Sequence, residues 1–323
     1  MFTACNQNKR QPNVSSISIT VIEQRYEQDF FKVDTLHLKA SLHQLDQRYK
    51  GFNSDFLYNI LGTTPEAAQK DIPAFINSYQ SIYQDANLIF KNTRPWVDEI
   101  KKGFQYVKYY FPEYQLPKKI ITFIGPINSF GTIITPDAIA IGLQLFLGKN
   151  HPLYASEQSQ SFYPTYLSRR FEPAYIPVAS LRNIVDDIYP EPALGKPLIE
   201  QMVESGKRLY LLNHFLPMLA DSLITGYTDE QFRTCVDNEK NIWSFFIQND
   251  LLYKTDPQFT RDYMNDGPST QVFGSKSPGN IGQFVGWQIV KKWMNKNPKM
   301  DLKQLLQKNS AQLFEEAKYK PTS

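Results

Sequence analysis

The fold is decided by the stretch KIITFIGPINSFGTIITPDAIAIGL, residues 119–143. It contains three short runs rich in β-branched residues, 119–124, 131–135 and 138–143, which are separated by Gly-Pro, Asn-Ser and Pro-Asp pairs. Such runs are typical of strands, and such pairs are typical of turns. We therefore predict a small antiparallel β-meander of three strands near 119–143.

Helical patterns flank this meander on both sides. Before it, Leu38, Leu42, Leu45 and Tyr49 fall on one face of a helix, and residues 96–111 continue the same spacing. After it, helical segments are predicted at 173–189, 197–216, 229–249 and 280–295. Residues 16–22 alternate polar and apolar side chains and predict one more short strand. The fold class is therefore α+β, predominantly helical, with a single compact domain over 16–323.

Two capping boxes predict where later helices begin. Thr228 is followed three residues on by Gln231, and Asp301 is followed in the same way by Gln304. In this pattern each of the two side chains accepts or donates a hydrogen bond at the backbone of the other residue. Helices are expected to start directly after Thr228 and after Asp301.

Composition and the absence of motifs exclude several functional classes. The chain has 323 residues, and 35 Lys+Arg against 32 Asp+Glu give a net charge of only +3, without the clustered basic patch of a nucleic-acid binder. No run approaches the roughly 18 apolar residues of a membrane helix. HExxH, GxSxG, GxxxxGK[ST] and CxxC are all missing from the sequence. Residue chemistry alone therefore predicts a globular protein without a visible catalytic set or cofactor.

The first residues predict a lipid anchor. Phe2-Thr3-Ala4-Cys5 has the apolar residue, the two small residues and the cysteine that end a bacterial lipoprotein signal. We interpret residues 1–5 as a truncated signal ending at the lipobox Cys5, because its charged and apolar upstream parts are not in the sequence. Residues 6–15 are mostly polar and predict a flexible tether between a lipid on Cys5 and the folded body.

Five segments resemble the gliding-motility lipoprotein GldB family. They are 140–150 (AIGLQLFLGKN), 166–173 (YLSRRFEP), 202–207 (MVESGK), 251–257 (LLYKTDP) and 277–290 (SPGNIGQFVGWQIV). Their order and spacing cover nearly the whole chain. The resemblance implies a lipoprotein that is lipidated at Cys5, faces the periplasm and takes part in gliding motility. It also implies partners in the motility machinery and in the type 9 secretion apparatus, and membrane attachment through the lipid in an inner or outer membrane that the sequence does not identify.

The family in turn resembles predicted zinc peptidases with a zincin-like fold. In those proteins a helix carries HExxH, whose two imidazoles share one helix face and hold Zn²⁺. In this chain the corresponding helix is 181–187, where Arg182 or Asn183 replaces the first histidine and Asp186 or Asp187 replaces the second. An arginine repels a metal ion. The resemblance therefore implies a zincin-like body that has no metal site and no catalytic residues, a pseudoenzyme.

Polar residues that the lost metal site leaves behind form the candidate binding groove. We expect it to contain Arg169, Arg182, Asp186, Asp187 and Glu204, with Arg170 and Glu172 beside Arg169 in the same segment. One interpretation is a set of structural ion pairs, with Arg182 beside Glu204. The other is a groove that binds a peptide segment or an envelope component, in which an arginine holds the ligand's carboxylate.

An enzymatic alternative stays open at this point. Folding that brought His37, His151 or His214 beside Glu204 would build a divergent metal-dependent peptidase from ligands outside the expected helix. Other conspicuous residues have structural explanations: Gly282 and Gly286 suit close helix packing, and Cys235 is expected to be an unpaired buried thiol.

Overall fold

The sheet has a different topology from the predicted meander. The computed structural model describes residues 11–190 and 195–321, and within them the sheet has four strands in the order β1-β2-β4-β3. The strands are β1 (Ile22–Arg25), β2 (Lys119–Phe123), β3 (Thr132–Ile134) and β4 (Ala138–Gly142). β2 pairs parallel with both β1 and β4, and only β3 pairs antiparallel with β4. The predicted antiparallel meander is therefore wrong except for the β3–β4 hairpin.

The segment between β2 and β3 explains the difference. It crosses the end of β4 instead of doubling back, so β4 inserts between the two strands. The crossing passes so near Gly142 that an added Cβ would lie 2.4 Å from the carbonyl oxygen of Phe130. The buried side chain of Gln144 holds the crossing, because it accepts from the Gly125 N–H at 3.0 Å and donates to Ser129 Oγ at 3.1 Å. Turn residues show where the chain bends but not on which side of a strand it returns.

The segment before β1 lies against the folded body. The predicted strand at 16–22 is displaced, since β1 begins only at Ile22. Val14 is buried, and Gln11 Nε2 donates to the carbonyl of Pro217 at 3.2 Å. Gln105 Nε2 donates to the carbonyl of Ile17 at 2.7 Å. Residues 11–15 of the predicted tether are thus in contact with the body, whereas residues 6–10 and Cys5 lie outside the described part of the chain.

Helices make up 59% of the residues that the structure describes, which confirms the α+β class and its helical predominance. In the described residues the α-helices are α1 (Tyr26–Phe30), α2 (Leu38–Arg48), α3 (Phe52–Asp55), α4 (Ala68–Ile89), α5 (Arg94–Tyr110), α6 (Glu157–Phe162), α7 (Thr165–Ser168), α8 (Ile176–Ile188), α9 (Leu198–Phe215), α10 (Asp221–Thr225), α11 (Asp229–Asp237), α12 (Glu239–Gln248), α13 (Pro257–Met264), α14 (Ile281–Lys296), α15 (Leu302–Gln307) and α16 (Ser310–Ala317). Both predicted capping boxes are present, at the starts of α11 and α15. The predicted helix at 229–249 is divided at Asn238 into α11 and α12.

Glycines let α9 and α14 cross in close contact at the centre of the core. A Cβ added to Gly286 would lie 1.6 Å from the carbonyl oxygen of Met202, and one added to Gly206 would lie 2.3 Å from the carbonyl oxygen of Gly286. A Cβ on Gly282 would meet Met264 Sδ at 2.3 Å. The predicted packing role of Gly282 and Gly286 is therefore confirmed. α8 packs against α5, α9 and the hairpin strand β3, so it lies directly beside the sheet.

Candidate functional site

A cavity of about 560 Å³ lies between β3, α8 and the loops that follow α7 and α10. We call it the arginine cavity. Its polar lining includes Arg170, Arg182, Asp186 and Asp266. Its apolar lining is rich in aromatic rings: Phe130, Phe146, Tyr163, Phe171 and Tyr175. A pocket with apolar walls and a few converging charges is the usual form of a binding site for an organic ligand.

α8 supplies the cavity's central charges. Arg182 and Asp186 are four residues apart, so they share one helix face and both line the cavity. Asn183 lies beside them, and its Nδ2 donates to Thr132 Oγ1 on β3 at 2.7 Å. This bond joins the helix to the hairpin and fixes the wall from which Arg182 projects.

The two carboxylates of the cavity are already paired. Asp266 Oδ1 lies 2.8 Å from Arg170 Nη2, and Asp186 Oδ1 lies 2.8 Å from Arg208 Nη1 on α9. Arg182 donates one hydrogen bond, from Nη2 to the carbonyl of Ile224 at 3.2 Å. A guanidinium carries five N–H donors. Among the charged side chains described around the cavity, Arg182 is therefore a cation without a carboxylate partner, and its remaining donors are open to a ligand.

Arg170 and Arg182 repel each other in the cavity. Protein atoms around the Arg182 guanidinium lower its pKa although the residue keeps an exposed surface, repulsion from Arg170 lowers it further, and Asp186 and Asp266 raise it. Arg169 does not line the cavity, but its Nη2 donates to the carbonyl of the lining residue Gly226 at 3.1 Å. Burial lowers the pKa of Arg169 as well. A guanidinium remains charged at neutral pH even so. An anionic ligand would relieve the repulsion between these arginines.

The free edge of the sheet runs beside the same cavity. In the β3–β4 ladder, Gly131 and Thr135 exchange hydrogen bonds with β4, and Thr132 alternates with them. The N–H and C=O of Thr132 therefore point away from β4, and Thr132 lines the cavity. An extended peptide can pair with a free edge of this kind.

A sequence model of the gliding motility protein GldB family matches residues 7–321. The chain belongs to this family. The family's short name marks it as a lipoprotein family. No curated protein and no solved structure matches the chain. Across residues 11–190 and 195–321, no helix is long and apolar enough to cross a bilayer.

The cavity of this GldB-family chain does not offer a zinc-binding donor set. The two charged residues of α8 that line the cavity are Arg182, a guanidinium, and Asp186, a carboxylate that is already bound to Arg208. The histidines have other neighbours: His37 bonds Asp34, His43 bonds Gln47, His151 bonds Asp85 and His214 bonds the carbonyl of Tyr210. In the described part of the chain, no group of three or more His, Cys, Asp or Glu side chains is arranged to hold a metal ion.

Of the five predicted groove residues, Arg182 and Asp186 line the cavity, whereas Arg169, Asp187 and Glu204 do not. Asp187 accepts a hydrogen bond from Tyr114 at 2.7 Å, on another face of α8. Glu204 is buried against α16, where its partners are Ser310, Tyr189, Lys196 and Lys207. The expected pair between Arg182 and Glu204 is therefore wrong.

Two charged residues of the site, Arg208 and Asp266, were missing from the predicted groove. Arg208 directly follows the ESGK segment, whereas Asp266 lies in the loop after α13 and had no signal in the sequence. Asp266 pairs with Arg170, which was expected beside Arg169, and Arg208 pairs with Asp186. These two pairs leave Arg182 without a carboxylate partner.

Proposed function

We propose that this GldB-family protein is a lipid-anchored, periplasm-facing, non-catalytic component of the gliding machinery, associated with the type 9 secretion apparatus. In this proposal the arginine cavity binds a carboxylate-bearing peptide segment of a partner protein. The observation that carries the proposal is the position of Arg182 and Asp186. Both side chains line the cavity from one face of α8, and Arg182 has no carboxylate partner there.

A carboxylate is the ligand that best suits these groups. Arginine forms two parallel hydrogen bonds with a carboxylate, and the unpaired guanidinium of Arg182 is placed for such a contact. The aromatic walls suit an apolar side chain next to that carboxylate. The outward N–H and C=O of Thr132 suit the backbone of an extended segment. Together these features favour a peptide with a free C-terminus over a small inorganic anion.

The anchor and the location rest on the family and on Cys5. A single modified cysteine that carries two or three acyl chains is sufficient for stable membrane attachment. Replacing Cys5 with alanine is expected to release the protein from membranes upon cell fractionation. Retention of the variant in the membrane fraction would defeat the lipid assignment.

A peptide-binding measurement tests the cavity. Fluorescent extended peptides that end in an apolar residue are offered as free acids and as the same sequences with amidated C-termini. Charge-assisted hydrogen bonds contribute about 1.5–3 kcal/mol, so the free acids are expected to bind about 10- to 100-fold more tightly. Arg182→Gln should remove this difference. The matched control Arg233→Gln changes an exposed arginine on α11 outside the cavity and should keep it. Equal binding of acids and amides by the unmodified protein would contradict the proposal.

The competing function is a divergent metal-dependent peptidase. It requires metal ligands that converge, whereas the described histidines contact Asp34, Gln47, Asp85 and Tyr210 in separate places. We therefore favour binding over hydrolysis.

A further inference from the structure

A second large concavity, of about 630 Å³, lies where the described chain begins. It forms at the C-terminal ends of α5, α9 and α14, and Gln11 and Pro12 lie in its wall. We call it the tyrosine groove. It shares no lining residue with the arginine cavity.

Exposed apolar side chains surround the tyrosine groove. Tyr109 and Met300 line it with 49% and 39% of their surfaces exposed. Met218, which follows the lining residue Pro217, is 72% exposed. Lys299 next to Met300 is exposed as well. Side chains of this kind, aromatic and apolar with a flanking lysine, are those that enter the interface between lipid headgroups and acyl chains.

Two tyrosines that are less exposed, Tyr110 and Tyr210, also line the groove. Burial raises the pKa values of Tyr110 and Tyr210 to about 12, so both phenols are neutral at physiological pH. A tyrosine places its ring in an apolar environment and its hydroxyl in a wet one. The groove therefore presents neutral amphipathic rings beside two charged residues: Lys291, which is paired with Asp221, and Asp301.

The position of Gln11 and Val14 indicates what covers the tyrosine groove. Gln11 is bonded to Pro217 at the edge of the groove, and Val14 is buried in the core directly after it. Gln11 is six positions after Cys5 in the sequence, and an extended chain spans at most about 3.5 Å per residue. Gln11 therefore lies within about 20 Å of Cys5, whatever path the chain takes. Leu36 is an exposed apolar residue too, but it lines a different concavity, whose lining contains no residue from the start of the described chain.

We infer that the tyrosine groove rests on the phospholipid surface to which the chain is anchored. This inference rests on the proposed lipidation of Cys5, and it adds an orientation to it. Met218, Met300 and Tyr109 insert at the headgroup boundary, and Lys299 attracts anionic phospholipid. The folded body therefore contacts the membrane with one fixed face and does not reorient freely around the lipid anchor.

Quenching by labelled lipid tests this orientation. The native lipoprotein is purified as Met218→Cys and as Leu36→Cys, and each new thiol carries an environment-sensitive fluorophore. Cys235 does not interfere, because burial raises the pKa of its thiol to about 12 and keeps it unreactive. Leu36 is a matched control, since it is 88% exposed and lines a different concavity. Each protein is attached to vesicles of phosphatidylethanolamine and phosphatidylglycerol that contain a phospholipid with a nitroxide near the headgroup.

The label at position 218 is expected to lose at least about half of its emission, because interfacial side chains reach about 5–10 Å into the headgroup boundary. The label at position 36 is expected to keep its emission. If both labels keep their emission on attached protein, the docking surface is wrong while the anchor stands. Equal quenching of both labels would show a body without a preferred face and would also overturn the inference. If the protein does not attach, and Cys5→Ala behaves identically, the anchor itself fails and the orientation falls with it.

Discussion

Removing the Glu204 carboxylate should destabilise the protein strongly, because it neutralises a buried lysine. Glu204 and Lys207 keep only 3% and 1% of their surfaces exposed, and the Nζ–Oε1 distance between them is 3.8 Å. Glu204 also accepts hydrogen bonds from Ser310 Oγ at 2.6 Å and from Tyr189. Without the carboxylate, Lys207 retains only neutral acceptors, chiefly the carbonyl of Lys308 at 2.6 Å.

The magnitude follows from the unpaired charge. Breaking a buried ion pair by removing one partner costs about 3–5 kcal/mol. We expect Glu204→Ala to lower the free energy of unfolding by that amount, and Glu204→Gln to lower it by less, since an amide oxygen still accepts from Ser310. With a urea m-value of about 3 kcal/mol/M, the midpoint of unfolding shifts by roughly 1–1.7 M. Glu315→Ala is the matched control, because Glu315 is exposed on α16 and should change the stability by no more than about 0.5 kcal/mol.

The Glu204 carboxylate also makes the stability of the protein depend on pH. Burial alone would raise the pKa of Glu204, but hydrogen bonds from Ser310 and Tyr189 and the charge of Lys207 outweigh it and lower the pKa. A lowered folded-state pKa stabilises the protein above the ordinary value of a glutamate, and this contribution is lost as the pH falls through the folded-state value. The stability gap between the unmodified protein and Glu204→Gln should therefore be full at neutral pH and shrink below about pH 4.5. Urea titrations in which Glu204→Ala matches Glu315→Ala, or in which the gap does not change with pH, would refute this reasoning.

Two further outcomes are expected. Gly286→Ala should destabilise by about 3 kcal/mol or more, because its Cβ would meet the Met202 carbonyl oxygen at 1.6 Å. Gly267→Ala is the control, because its Cβ would lie 3.7 Å from the carbonyl oxygen of Ser269, which is an ordinary contact, and its φ is not positive. Similar urea midpoints for the two variants would contradict the close helix crossing. Protein prepared with zinc and then desalted should retain far less than one zinc per chain by elemental analysis; about one zinc per chain would revive the peptidase alternative.

Local signals in the sequence predicted much of the helical structure. The capping boxes at Thr228 and Asp301 place two backbone N–H groups within reach of a nearby side chain, which is a local property and was confirmed. The sheet was harder, because its order depends on contacts between distant segments. β1 and β2 are nearly a hundred residues apart, and the crossing over Gly142 depends on Gln144 reaching back to Ser129.

The site was predicted in part for the same reason. Arg182 and Asp186 share a helix face by their spacing alone, so the sequence was enough to place them together. Glu204 was misplaced because neighbouring helix residues point about 100° apart. Ser205 and Arg208 turn toward Arg182, and Glu204 turns toward α16. Asp266 reaches the cavity only through tertiary folding.

We propose that the arginine cavity serves gliding by binding an anion through Arg182. Gliding speed of single cells is measured in a strain whose own copy is replaced by Arg182→Glu, with Arg233→Glu as the matched charge reversal outside the cavity. We expect Arg182→Glu to accumulate in membranes at the normal level but to fail to support gliding, whereas Arg233→Glu cells should glide normally. Cells that glide at full speed with Arg182→Glu would contradict it.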